Sequence, residues 1–512
     1  MSSKTGSGGM RFDFTFGKPL TPSTPDAEDC FNLALWGDFS GRANRGLNES
    51  ILNRPARKID TDNAEKVFAN LGAGLKLPIT GRIPAVVSLG FKSLDDFHPD
   101  HLFLQIPSLG QLLEKRKRLL NPATAATAET ELRDLLNTPV ATPEATVPSA
   151  KPAESDTDTL GRLLGGGAGS ETSPIASQPA VNPSAGAIAN LIKGIVGSSS
   201  VPSASPRQSA LLSAVDLEMT SILRQVLHHP DFQLLESAWR GLDSLVREFG
   251  GEENLKLFVL DVSGDELSRD LEAQDDLANS AMAQLLLRRS PEERFTLSLG
   301  LYTFSETSGD LGTLARIAKI CCATRAPFIA ATTSRLAGCD AFEKNPYPED
   351  WTLRLAPDLQ QAWDALRKLD EARFIALALP RYLVRQPYGQ RSDPISSFPF
   401  EEMEAVPAHE HYLWGNPAAL CGHVLASAFV SEGWEFQPGG YGDVGELPVH
   451  KFDRDGESEV KPCAEAWLSE RAAEVLGAKG LVPILSIKGR DAVRVARLQS
   501  LAEKPLPIGS NT

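Results

Sequence analysis

Two stretches of this chain concentrate side chains that could do acid–base or metal chemistry. FKSLDDFHPDHL, residues 91–102, sets His98 and His101 among Asp95, Asp96 and Asp100. HHPDFQLLESAWRGL, residues 228–242, opens with His228 and His229 and adds Asp231. Imidazoles bind metals or move protons, and carboxylates act as general acids or bases once burial or a charged neighbour shifts their pKa. Neither condition is written into this spacing. The DDF-H-P grouping has the composition of a strand-to-helix turn. His228 and His229 stand before Pro230, which suits a first helical position. A histidine there favours the dipole of the preceding helix or caps the next one. Both stretches are therefore expected to be structural.

Two further patterns invite a chemical reading. Gly440-Tyr-Gly442-Asp-Val-Gly445 matches GxGxxG. A dinucleotide fingerprint needs a strand before it and a helix after it, so that the pyrophosphate meets a helix N-terminus. Here ELPVHKF follows and reads as a strand, so a glycine-rich turn is expected. His409-Glu410-His411 could chelate, but tetrahedral zinc needs three or four convergent ligands and HExxH is absent. The sequence also lacks GxxxxGK[ST] and GxSxG. No enzymatic activity, cofactor or metal is expected.

The elements that would hold these residues can be read from periodicity. RFDFTF alternates as a short strand within the polar first 30 residues. FNLALWGDFSGR (31–42) is an apolar strand running into a turn. Asp60, Thr61 or Asp62 is placed to cap a short helix carrying Val67, Phe68 and Leu71. AVVSLGF (85–91) reads as a strand, and SLGQLLEKRKRLL as a helix. From 211 onward Val215, Met219, Ile222, Leu223 and Val226 stripe one helix, and Leu235, Trp239, Leu242 and Phe249 the next. Strands at 255–262, 294–304, 327–333, 374–380, 446–452 and 481–487 then alternate with helices near 264–273, 311–321, 358–369, 418–433 and 464–476. That alternation predicts an α/β fold with a partly parallel sheet.

Between 138 and 210 the composition changes to Pro, Ser, Ala, Thr and Gly. Too few large apolar residues remain to offset the entropy of ordering, so this is expected to be a disordered linker. Two islands interrupt it. Leu160, Leu163 and Leu164 are spaced i, i+3, i+4, and Ile188, Leu191, Ile192 and Ile195 are spaced i, i+3, i+4, i+7. Each is a candidate partner-docking helix.

Bulk properties narrow the class. The chain has 512 residues, with 42% apolar and 23% charged residues, an ordinary balance for a protein that can bury its own core. A net charge of −15 repels phosphate backbones, which argues against nucleic acid as a partner. The six cysteines form no CxxC and read as free thiols in a reducing compartment. No secretory signal core and no run of 18 apolar residues is present, so a cytoplasmic protein without membrane insertion is expected.

The two opening stretches also carry a family likeness. LWGDFSGR (35–42), RKIDTDN (57–63), FKSLDDFHPDHL (91–102) and IPSLGQLLEKRKRLL (106–120) resemble the small subunit of the type VI secretion contractile sheath, TssB or VipA. HHPDFQLLESAWRGLDSLV (228–246), APFIAATT (326–333), LPRYLVRQPYG (379–389), HYLWGNPAAL (411–420), GELPVHKF (445–452) and KPCAEAWLSERAAEVLGAKGLVPI (461–484) resemble the large subunit, TssC or VipB. The resemblance implies a natural small–large fusion. Its domains would be an N-terminal tail (1–30), a small-subunit-like domain (31–137), the linker (138–210) and a large-subunit-like domain (211–512) lacking the family's usual C-terminal extension. The fold it implies is two intertwined α/β domains.

The function implied is that of a structural sheath component, with no catalysis. Its partners would be sheath protomers, inner tube and baseplate proteins, and an AAA+ ATPase that disassembles the contracted sheath. A non-polymerising accessory factor that caps, initiates or links the sheath to the baseplate is the alternative. A linker of about 70 residues reaches roughly 45 Å, enough for the halves to pair within a chain or between neighbours.

Overall fold

A computed structural model describes residues 30–80, 85–136, 204–437, 439–440 and 442–508. The expected RFDFTF strand, both leucine and isoleucine islands, and the linker up to residue 203 lie outside these residues. The strands in chain order are β1 (Phe31–Gly37), β2 (Arg57–Ile59), β3 (Gly74–Ile79), β4 (Ala85–Gly90), β5 (Leu255–Asp261), β6 (Leu297–Phe304), β7 (Phe328–Thr332) and β8 (Ile375–Leu379). They continue with β9 (Tyr382–Leu383), β10 (Trp414–Gly415), β11 (Gly442–Val444), β12 (His450–Arg454), β13 (Glu457–Lys461), β14 (Leu481–Ser486) and β15 (Val493–Val495).

The chain divides into two compact units. The larger combines the described residues up to Leu77, Val87–Pro107 and the described residues from Leu223 onward. Its sheet has nine strands among the described residues, in the order β11-β15-β14-β8-β7-β6-β1-β5-β2. Six neighbours, β14 to β5, run parallel. Strands β2, β15 and β11 join antiparallel. A parallel sheet is covered on both faces, so its strands are apolar throughout rather than alternating. FNLALWG, FIAAT and IALAL are buried at every position. The edges β2 and β11 have three residues each, too short to offer a long open ladder.

The position of β1 is the main topological result. It lies between β5 and β6, with Leu35 level with Val259 on one side and Leu299 on the other. A strand from the first 40 residues thus fills the interior of a sheet whose other parallel members begin at residue 255. Alternation along β1 sends Ala34 and Trp36 into the core formed with Leu311, Leu314, Ile317 and Cys321 of the helix Ser308–Thr324. Leu33 and Leu35 are fully buried and point to the opposite face. On that face the helix Ala418–Glu432 comes so close that a Cβ on Gly422 would stand 2.4 Å from Leu299 Cδ1.

The smaller unit comprises the described residues within Pro78–Val86 and Ser108–Ile222. Leu109, Leu112 and Leu119 of the helix Pro107–Leu120, and Ala128 and Leu132 of Ala125–Leu136, are buried together with Leu211, Val215 and Met219 of Ala204–Leu227. Arg116 Nε donates to Asp216 Oδ1 at 2.6 Å, and Arg207 pairs with Glu129 at 3.3 Å. Residues before and after the linker therefore share this core as well.

Two expectations are corrected, and a third is resolved to one residue. The helix near 464–476 is Glu470–Ala478, because Ser469 is the residue whose hydroxyl accepts from Ala472 N–H and starts it. The strand at 446–452 begins only at His450 and forms a separate hairpin with β13. Glu446 has φ 57°, and Pro448 has no N–H to give a ladder. Of Asp60, Thr61 and Asp62, it is Asp60 that closes the start of the helix Ala64–Leu71: its carboxylate accepts from Asn63 N–H and its carbonyl from Ala64 N–H, each at 3.0 Å, while the Asn63 amide oxygen accepts from Asp60 N–H at 3.1 Å.

Candidate functional site

The seam between the two sequence regions is richest where β1 and β5 end. The turn after β1, DFSGR, folds on its own residues first. The Asp38 carboxylate accepts from Arg42 N–H at 2.6 Å and Ala43 N–H at 2.9 Å. Gly41 has φ 71°, and a Cβ there would lie 2.1 Å from the Gly74 carbonyl oxygen, so only glycine fits. The turn then meets β5. Asp261 accepts from Phe39 N–H at 2.9 Å, Ser40 N–H at 3.1 Å and the Ser40 hydroxyl at 2.7 Å. Burial nonetheless pushes the Asp261 carboxyl above its usual range. Arg42 Nε reaches both oxygens of Glu266 at 3.2 Å, and Arg54 Nη2 reaches Oε1 at 3.0 Å. Burial opposes the Glu266 charge, but the Ser263 amide and these two arginines outweigh it and hold its pKa low.

The opening stretches turn out to be the same device used twice. His98 Nδ1 accepts from Asp100 N–H, and His229 Nδ1 accepts from Asp231 N–H, each at 3.2 Å. Each histidine is a helix N-cap with proline next, at the first helical position. Each aspartate then crosses the seam in the opposite direction. Asp100 takes four hydrogen bonds from the backbone and hydroxyls of Ser396 and Ser397, at 2.5–3.0 Å. Asp231 accepts from Asn44 Nδ2 at 2.8 Å. Burial raises the Asp100 pKa, but the serine bonds prevail and it is lowered. Of the remaining acids, Asp96 accepts from Lys92 and Ser93 N–H, and Asp95 is exposed.

Aromatic side chains close the seam behind these caps. Phe68 lies 3.8 Å from the Trp239 ring, Phe39 5.3 Å from it, and Phe97 5.6 Å from Phe232. Trp239 Nε1 also donates to Phe39 O at 2.8 Å. Large rings packed at these distances add attraction beyond area burial.

A buried charge cluster lies on the large region itself, and the sequence reading missed it. Arg385 forks onto Glu402 at 2.7 and 3.0 Å and reaches Glu236 at 3.0 Å, all three nearly inaccessible. Burial works against the Glu402 charge, but Arg385 and His228 hold its pKa down at about 2. A guanidinium between two carboxylates fits because its planar fork matches them bidentately. The only local signal is an arginine inside the apolar run LPRYLVRQPYG; its partners lie 149 residues before and 17 residues after it.

The HEH pair is split between two surroundings. His411 stacks on His228 with ring centroids 4.0 Å apart. His409 faces Glu465 at 3.1 Å and Lys461 at 2.8 Å. Among the described residues no group of three or more His, Cys, Asp or Glu side chains is placed to hold a metal ion. The GYGDVG loop supplies β11, an edge strand antiparallel to β15, where Asp443 pairs with Arg494 at 2.7 Å. Asp261, Glu266 and Arg385 were not singled out in the sequence.

A family model described as "EvpB/VC_A0108, tail sheath N-terminal domain" matches residues 209–502. A second, "Type VI secretion system, VipA, VC_A0107 or Hcp2", matches residues 15–147. The chain is 32% identical over 306 residues to the "Type VI secretion system sheath protein TssC1" of Pseudomonas aeruginosa, covering 58% of this chain and 61% of that relative. The chain therefore spans about three fifths of the relative's length.

Proposed function

The chain belongs to the type VI secretion tail-sheath family, as a VipA-type region fused to a VipB-type region, and from this we propose that it serves as a structural building block of a contractile sheath. One observation carries the reading: β1, from the VipA-type region, is an interior strand of the VipB-type sheet. A strand there is bonded on both sides and cannot be withdrawn without opening the sheet. The unit is therefore built to bear load rather than to exchange its parts. Fusion fixes the ratio of the two regions at one to one and raises the effective concentration of each for the other.

As a building block its partners would be further sheath protomers, with inner tube and baseplate proteins beyond them. No helix among the described residues is long and apolar enough to cross a membrane, and we place its work in the cytoplasm on the strength of the family. The role requires no catalysis. Negative-stain electron microscopy of the purified chain tests the proposal: tubes support it, and discrete small particles favour the capping or linking accessory role instead.

A further inference from the structure

Lys461 ends β13 and sits in surroundings that neither the seam nor the charge cluster uses. Its Nζ donates to His409 Nδ1 at 2.8 Å. An ammonium can only donate, so with Lys461 charged Nδ1 is the acceptor and the imidazole proton sits on Nε2, 3.1 Å from Glu465 Oε1. Glu465 is itself fixed, accepting from Arg381 N–H at 2.9 Å and Arg381 Nε at 2.8 Å. The order carboxylate, imidazole, amine is that of an activated nucleophile whose base is oriented by a third group. His409 and Glu465 are largely buried, at 12% and 14% exposure, whereas Lys461 is only half-buried.

We propose that Lys461 is a site of acylation by acyl phosphates, with His409 as its base and Glu465 as the residue that positions His409. One proton of the ammonium passes to His409 Nδ1 and on to water, which frees the nitrogen lone pair. That pair forms the C–N bond to the acyl carbon as the acyl–oxygen bond breaks. The second nitrogen proton leaves with the phosphate, as hydrogen phosphate. Burial favours the neutral amine and lowers the Lys461 pKa, against the opposing pull of Glu343, Glu465 and Glu410 and with the help of Arg381. The charge removed lies 5.3 Å from the Tyr412 ring centre and 5.5 Å from that of Trp414. Acylation therefore ends two cation–π contacts that hold the β12–β13 hairpin against the HYLWGN segment.

The test incubates the full chain with acetyl phosphate and follows each lysine by peptide mass spectrometry. Lys461 is expected to react at least 5-fold faster than the exposed Lys66 and Lys92. H409Q is expected to slow Lys461 at least 5-fold and leave those two unchanged. A Lys461 rate at or below theirs, or one indifferent to H409Q, overturns the proposal. Should H409Q fail to fold, the native chain decides through its pH profile. The Lys461 rate is expected to level off at a lower pH than the rates of Lys66 and Lys92, and a shared profile overturns the assignment.

Discussion

Truncating one leucine in β1 tests how the two regions are joined. Leu35 is fully buried, with Val259 and Leu299 beside it on the neighbouring strands. Leu35→Ala deletes three buried carbons where hydrogen-bonded strands on both sides prevent collapse. Buried leucine-to-alanine changes cost about 2–5 kcal/mol, and poor relaxation keeps this one at no less than about 3 kcal/mol. At about 1.4 kcal/mol per tenfold, that is on the order of 100-fold in association of the regions.

The assay needs no isolated fragment to fold. A protease site is inserted between residues 137 and 203, and the chain is cut after folding. The fragments are expected to co-elute on gel filtration. Serial dilution then gives their affinity, which L35A should weaken about 100-fold. Leu104→Ala, at a residue 86% exposed, is the control and should stay within about 0.5 kcal/mol of the parent. Fragments that separate on cutting the parent chain, or an L35A affinity within about threefold of the parent, would refute the interior placement of β1.

Acid should unfold the larger unit through Glu402 and Glu465. Both have folded pKa values of about 2 against an ordinary 4.5, so the unfolded chain binds more protons. Their stabilisation is present above about pH 4.5 and fades as the pH falls towards about 2. Urea midpoints measured between pH 6 and 3 should decline, and E402Q should flatten that decline while lowering the midpoint at pH 6; an unchanged slope would count against the cluster. Asp100→Ala strands four donors on Ser396 and Ser397 and should cost about 1–3 kcal/mol, read as a lower melting temperature, whereas D95A, at an exposed neighbour, should cost under about 0.5 kcal/mol. The islands Leu160, Leu163, Leu164 and Ile188, Leu191, Ile192, Ile195 are proposed to dock a partner such as the disassembly ATPase. Deleting both should abolish pull-down of that partner, and undiminished capture would dismiss the idea.

Much of the fold was legible in local sequence. Strand and helix periodicity located most elements within a few residues, because burial on one face repeats every two or 3.6 positions. Pro230 marked a helix start correctly, and a capping histidine was among the expectations for HHPD. The misplacements at 446–452 and 464–476 arose where an apolar pattern continued through residues whose backbone could not follow it. Pro448 and the positive φ of Glu446 delayed one strand, and capping by Ser469 delayed one helix.

What the sequence by itself determined was most of the elements, the helix start at Pro230 and the family likeness, since each rests on residues within a turn or strand of one another. Only the tertiary structure decided that β1 would lie between β5 and β6, that Asp100 and Asp231 would cross the seam in opposite directions, and that Arg385 would gather Glu236 and Glu402. The seam contacts unite residues up to 297 positions apart in the chain. A hydrogen-bonding side chain has the same local signature whichever partner it meets, so only the packed sheet and helices choose among the candidates.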